Sequence, residues 1–250
     1  MTDNRTGGEA AAGQPPLFYR APAPLSSELH GAYRLREGDL AFASQTPFVP
    51  IVTGELPQVS RSYPVVFSSG DAQPVAVLGV EEANLFVAGG EWADDCYIPA
   101  YVRRYPFGFI PTINPDGFVL AIDGEADRVA HEGEEGAALF EDGQPSELTR
   151  QALAFCEAFQ GEAAATRGFA EALIAAGLLI DQRADVTLPD GRKLGLDGFQ
   201  IVDAEKLAAL PDETVLTWHR RGWLALVHFH LASLDRFPAL LARRAGRAAP

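Results

Sequence analysis

Up to about residue 146 the apolar residues come in short runs broken by turn signals, and beyond it they recur at helical spacing. In the first part, Tyr63-Pro64-Val65-Val66-Phe67 and Pro74-Val75-Ala76-Val77-Leu78 flank Ser68-Ser69-Gly70-Asp71, which predicts a hairpin. Asn84-Leu85-Phe86-Val87 leads into a Gly89-Gly90 turn. Phe107 to Ile110 and Phe118 to Ile122 flank Asn114-Pro115-Asp116-Gly117, where proline presets φ and glycine accepts a positive one. Connections this short cannot make parallel crossovers, so the expectation is an antiparallel meander.

In the second part Ser146 is a candidate N-cap, and Ala152, Phe155, Cys156, Phe159 and Ala163 form an i, i+3, i+4 stripe. Phe169, Leu173 and Ile174 continue it to Gly177, a plausible C-cap. Val186-Thr187-Leu188 and Lys193-Leu194-Gly195-Leu196 flank Pro189-Asp190-Gly191, a second hairpin, and Phe199 to Val202 reads as a further strand. Asp203 to Asp235 reads as two or three helices broken at Pro211 and Gly222. The expected fold is therefore α+β, an antiparallel β-meander sheet followed by a helix-rich C-terminal half in one globular unit. Residues 1–24, rich in Gly, Ala and Pro, read as a disordered tail in which only Leu17, Phe18 and Tyr19 could dock. Residues 25–240 read as a single domain, and residues 241–250, with Arg243, Arg244 and Arg247, as a basic frayed end.

Composition excludes several functions. The net charge of −14 argues against general affinity for nucleic acid or anionic lipid, both polyanions. No apolar run approaches the ~18 residues of a membrane span, and the start has no cationic region followed by an apolar one, so a soluble, cytoplasmic protein is expected. Cys96 and Cys156 are too few for a disulfide framework. Cys156 lies on the helical stripe and reads as an inert core thiol, while Cys96 sits beside Asp94 and Asp95, whose charge disfavours a thiolate.

Signatures of phosphate loops, dinucleotide folds, hydrolase elbows and zinc proteases are missing. Gly222, His228, His230 and Asp235 nearly reproduce the first metal motif of a cupin. That motif needs a strand, where i and i+2 share a face, whereas the surrounding apolar residues fit a helix. Asp123, Glu125, Asp127 and Glu134 fall at positions of a calcium loop, but Arg128 occupies the place of its required glycine, and a solvated acidic loop is the simpler reading. No metal and no cofactor are expected.

The least ordinary stretch runs from Tyr97 to Phe107. It holds three of the chain's six tyrosines and two adjacent arginines. Pro99 could open one helical turn, bringing Tyr97, Tyr101 and Tyr105 towards one face. Tyrosine and arginine dominate binding hot spots, and a guanidinium grips carboxylate or phosphate. Tyr97, Tyr101, Arg103, Arg104 and Tyr105, joined by Trp223 and His230, are the candidate surface for a small molecule or a protein partner, with self-association left open. The alternative is an enzyme acting on a peptide or small molecule, with Arg103 or Arg104 anchoring a carboxylate and His230 as acid/base.

Taken in order, Phe48-Val49-Pro50 with Glu55, Tyr63 to Phe67, Tyr97 to Phe107, Leu139-Phe140, Gly143 to Ser146, Leu196-Asp197-Gly198-Phe199, Asp203 with Lys206 and Leu207, Arg221-Gly222-Trp223, and His230-Leu231 with Ser233-Leu234 resemble the SapC family of bacterial proteins. The resemblance covers residues 25–235 and concerns the family named after a surface-layer locus, not the permease of the same name. It implies an accessory or binding protein. The resemblance also implies a gene context, since such genes often sit beside TonB-dependent receptors and flavin-dependent halogenase-like genes, which suggests a role in nutrient uptake or in modifying an imported compound. It supplies no catalytic residues.

Overall fold

Strands from both halves of the chain share one sheet. The structure is a computed structural model that describes residues 15–113, 116–131, 133–187 and 193–247. Its principal strands are β1 (Pro22–Pro24), β2 (Phe48–Pro50), β3 (Val65–Ser68), β4 (Pro74–Val77), β5 (Phe107–Ile113), β6 (Asp116–Asp123), β7 (Leu179–Thr187) and β8 (Lys193–Val202). The helices are α1 (Leu56–Ser62), α2 (Ala100–Arg103), α3 (Glu147–Ala175), α4 (Ala204–Ala208), α5 (Asp212–Arg220), α6 (Trp223–Ser233) and α7 (Phe237–Arg247). The fold is α+β, and the pairings among the described strands are antiparallel.

The central sheet runs β7-β8-β3-β4-β2. The expected hairpins are present as β3/β4, β5/β6 and β7/β8, although the turns at 114–115 and 188–192 lie outside the described residues. The order is not that of a simple meander, because β8 inserts beside β3 through Phe199–Ser68 and Gln200–Phe67. Val65, Val66 and Phe67 are all buried. That is why β3 reads as a continuous apolar run rather than as an alternating one. Register in β7/β8 slips between Gln182 and Ala184. Gly198 lies at this bulge with φ +77°, a conformation glycine adopts without the penalty of a side chain.

β5 and β6 form a second sheet with β1. Long α3 starts at Ser146, whose hydroxyl accepts the Thr149 N–H, and ends before Gly177 at φ +63°. Its inner stripe serves two clusters. Cys156 packs with Tyr19, Tyr105, Ile122 and Leu139, and Phe169 and Leu173 pack with Phe67, Trp218 and Val227. Ile174, expected on that stripe, is 48% exposed, because Leu173 takes the core-facing position of the last turn and the next residue lies about 100° around the helix from it. Helices break at Pro211 and Gly222 as the sequence suggests, and the Asp203 carboxylate caps α4 by accepting the Glu205 and Lys206 N–H groups.

Both termini of the fold require correction. The tail expected to reach residue 24 is in place from residue 15, with Tyr19 buried and β1 paired to β6 from Pro22–Asp123 to Pro24–Ala121. The end expected to fray is helical to Arg247. Arg244 Nε donates to Glu81 at 2.6 Å, Arg247 donates to the Asn84 and Val87 carbonyls, and Arg243 lies 4.4 Å from the Phe86 ring. Buried Leu240 anchors this helix to the core.

Candidate functional site

The Tyr97–Phe107 segment is fastened at three points before it presents any side chain outward. Tyr63 Oη donates to the Tyr97 carbonyl at 2.6 Å and accepts the Trp92 indole N–H at 2.8 Å. Glu55, 6% exposed, accepts the Ala100 N–H at 2.6 Å and the Val52 N–H at 3.2 Å, which caps α2 from outside its own sequence. Burial pushes the Glu55 carboxyl above its usual range, against these two donors. Tyr105 Oη donates to Asp123 at 3.0 Å, and the Tyr105–Pro106 peptide is cis.

Pro99 precedes one helical turn, as its position suggests, but the three tyrosines do not share a face. The turn begins only at Ala100. Tyr97 lies on the approach and packs against the Tyr63 cluster, while Tyr105 follows the turn into the cluster around Tyr19. Tyr101 sits between them, buried against Phe18 and Phe159.

The two arginines part company, as adjacent side chains must. Arg103 is exposed. Its Nη2 donates to Tyr97 Oη at 2.8 Å and its Nε to the Ile98 carbonyl at 3.0 Å. Arg104 turns inward. Its guanidinium carbon lies 4.1 Å from the Tyr101 ring centroid, 4.5 Å from Phe159 and 5.9 Å from Tyr19. Among the described residues, Arg104 Nε is the one buried side-chain polar atom without a hydrogen-bond partner, and no carboxylate forms an ion pair with this guanidinium.

Arg104 lines a cleft of about 460 Å³. One part of the lining comes from residues 15–22, with Pro15, Pro16, Tyr19 and Pro22. Another comes from β5, with Phe109, Ile110 and Pro111. The charged residues in the described lining are Arg20 and Arg104, and Arg20 is already paired with Asp127 at 2.6 Å. Tyr19 donates its hydroxyl to the Phe107 carbonyl. Gly108 lets the ring lie that close, since a Cβ there would stand 3.0 Å from Tyr19 Oη.

Asp123 holds this arrangement together. It is fully buried and accepts the Arg20, Ala21 and Glu125 N–H groups as well as the Tyr105 hydroxyl. The reading of Asp123 as part of a solvated acidic loop is thereby corrected, because its lone pairs are committed to docking the N-terminal segment. Glu134 is instead paired with Arg36 at 2.7 Å. Among the described residues, no three His, Cys, Asp or Glu side chains converge as a metal site.

The other candidates lie elsewhere. His228 and His230 are on helix α6, where they diverge. His228 is exposed, and His230 is fully buried. His230 Nε2 accepts the Val202 N–H at 3.1 Å, so the proton is on Nδ1, which donates to the Val65 carbonyl at 2.9 Å. Burial pushes its pKa down to about 4. Both nitrogens are thus committed to holding β3, β8 and α6 together, and the ligand or acid/base role expected of His230 is withdrawn. Trp223 meets Trp218 edge-to-face and packs at a tilt against Phe169 in the third cluster, under Arg221, and lines no part of the Arg104 cleft. The site residues that sequence reasoning missed are Tyr19, Arg20, Phe159 and Asp123. Tyr19 stood out as an aromatic in a Pro-rich tail and Phe159 as a stripe residue, but nothing local brings either to Arg104.

An α+β protein with an arginine in an aromatic cage beside an apolar cleft is the class these features define. The SapC family model matches residues 25–240, and the chain belongs to the SapC family. No curated protein and no solved structure matches it. Among the described residues no helix is long and apolar enough to cross a membrane.

Proposed function

We propose that the protein is a non-enzymatic binding or accessory protein that recognises a small anionic ligand through Arg104. The observation that carries this reading is the buried Nε without a partner, on a guanidinium that has aromatic faces around it and no carboxylate beside it. A half-buried guanidinium whose Nε is cut off from water without a partner carries part of a desolvation cost, and a bound anion offsets it. The lining combines apolar surface with a few polar groups, as small-molecule sites do, and its volume falls in their usual range. The resemblance described above adds a setting, the uptake or handling of an imported compound. The enzyme alternative is weakened because His230 is enclosed by backbone partners.

Native mass spectrometry of the protein purified from its own host tests the reading. A bound small molecule is expected on the wild type and its loss in Arg104→Met. Equal retention by both overturns the role of Arg104.

A further inference from the structure

We infer that the ligand of the Arg104 cleft is a monocarboxylic acid with an apolar body. The inference rests on the reading of Arg104 as the anchor and adds the chemical class. Charge is the first argument. Of the two cations in the described lining, Arg20 has a carboxylate partner in Asp127, which leaves one guanidinium uncompensated. One positive charge matches a carboxylate. A phosphate monoester carries about −1.5 to −2 at neutral pH and would bring excess charge into an apolar cleft.

Geometry is the second argument. The Tyr101 and Phe159 rings lie 4.1 and 4.5 Å from the guanidinium carbon and 6.3 Å from each other, so they flank adjacent sides of it and leave the remaining edge for hydrogen bonding, and a planar carboxylate is the group that meets such an edge with two parallel bonds. The third argument is the rest of the wall. Pro15, Pro16, Pro22, Phe109, Ile110 and Pro111 offer ring and aliphatic surface. Proline has no N–H to donate, so the side of the cleft formed by residues 15–22, the N-terminal strap, is poor in groups that would reward a sugar or a polyol. An alkyl or aryl chain gains from burial there in proportion to the apolar area it covers.

Isothermal titration of the full chain with octanoate, 4-phenylbutanoate, octanamide and octyl phosphate tests this. The two carboxylates are expected to bind about tenfold or more tighter than the amide and the phosphate. Arg104→Met should abolish that preference, while Arg36→Met, a change outside the lining, should alter carboxylate binding by less than about threefold. A readout on the wild type needs no variant: octanoate should slow amide hydrogen exchange in residues 17–22 and 108–110. If octyl phosphate binds tightest and depends on Arg104, the class is wrong and the anchor stands. If the carboxylates bind equally well to Arg104→Met, the anchor itself falls. If neither carboxylate binds at about 1 mM, an affinity of only ~4 kcal/mol, the inference is overturned, and the mass-spectrometric experiment above still decides the anchor separately.

Discussion

Tyr105 and Asp123, 18 residues apart, share a buried hydrogen bond of 3.0 Å that joins the end of the aromatic–arginine segment to the anchor of the N-terminal strap. Asp123 Oδ2 takes the Tyr105 hydroxyl and the Arg20 N–H, and Oδ1 takes the Ala21 and Glu125 N–H groups. The strap lines the Arg104 cleft, so the carboxylate that docks it also shapes the site. Asp123→Asn replaces one acceptor oxygen by a donor that faces other donors. The expected cost is about 2–4 kcal/mol in urea unfolding, against about 1–2 for Tyr105→Phe, because an unsatisfied buried group costs more than a lost bond. In Asp123→Asn, trypsin should cut after Arg20 under conditions that leave the wild type intact. Equal resistance would mean that the strap is held by its apolar contacts alone.

Two truncations separate composition from docking. Residues 1–14 are polar and small, with little to bury, so their removal is expected to change stability by less than about 1 kcal/mol. Removal of residues 1–24 also strips Tyr19 and the β1 pairing and leaves Asp123 without the Arg20 and Ala21 donors. It should lower the melting temperature by several degrees. The pair of melting curves checks both statements.

His230 makes stability depend on pH in a defined direction. Its folded pKa is depressed to about 4 by burial, against an ordinary value near 6.5. The stabilisation of the neutral ring is therefore fully present above pH ~6.5 and is lost as pH falls through ~4, by up to about 3 kcal/mol. His230→Gln keeps an acceptor for the Val202 N–H. It should show a weaker fall in unfolding free energy between those limits than the wild type, and parallel curves would assign the acid sensitivity to carboxylates instead.

Much of the fold is legible in the sequence because its signals are local. Ser146, Gly177, Pro211 and Gly222 bound their helices by capping and φ chemistry, and paired apolar runs around turn residues give the hairpins. The insertion of β8 beside β3 is illegible, because pairing across more than a hundred residues leaves no periodic trace. The site divides in the same way. Tyr97, Tyr101, Arg103, Arg104 and Tyr105 stand out by composition, but which arginine turns inward depends on Phe159 from α3 and Tyr19 from the strap. His230 is a candidate in the sequence because an ordinary histidine titrates near neutral pH. Its partners are the backbone of Val65 and Val202, which no side-chain pattern reveals.

The two thiols should differ in reactivity. Cys156 is buried, and burial pushes its pKa up to about 11, with Arg104 offsetting part of the shift. At pH 8 only about one thiol in a thousand is then the reactive thiolate. Cys96 is half-buried. Ellman's reagent on the native protein is expected to titrate one thiol promptly, and Cys96→Ser should remove that signal. Prompt reaction of Cys156 in the variant would show that the Tyr19 cluster opens readily.

Arg104 should be dispensable for folding and needed for binding. Its aliphatic stem and planar head pack against the touching rings of Tyr101 and Phe159, so Arg104→Ala leaves a void and is expected to cost about 1–3 kcal/mol. Met fills much of the same space and carries no charge. Since the guanidinium has no carboxylate beside it among the described residues and its Nε has no partner, Arg104→Met removes a desolvation cost along with the cation–π attraction. The expected melting temperature of Arg104→Met is equal to or above that of the wild type. Exposed Arg103 is bonded to Tyr97 and the Ile98 carbonyl, and Arg103→Ala should change stability by less than about 1 kcal/mol. Urea unfolding of the three variants ranks these effects. If Arg104→Met is destabilised as much as Arg104→Ala, the aromatic cage is stabilised by the cation itself. A stable Arg104→Met that has lost its ligand places the residue's value in binding, because a position kept for packing alone gains nothing from a charge.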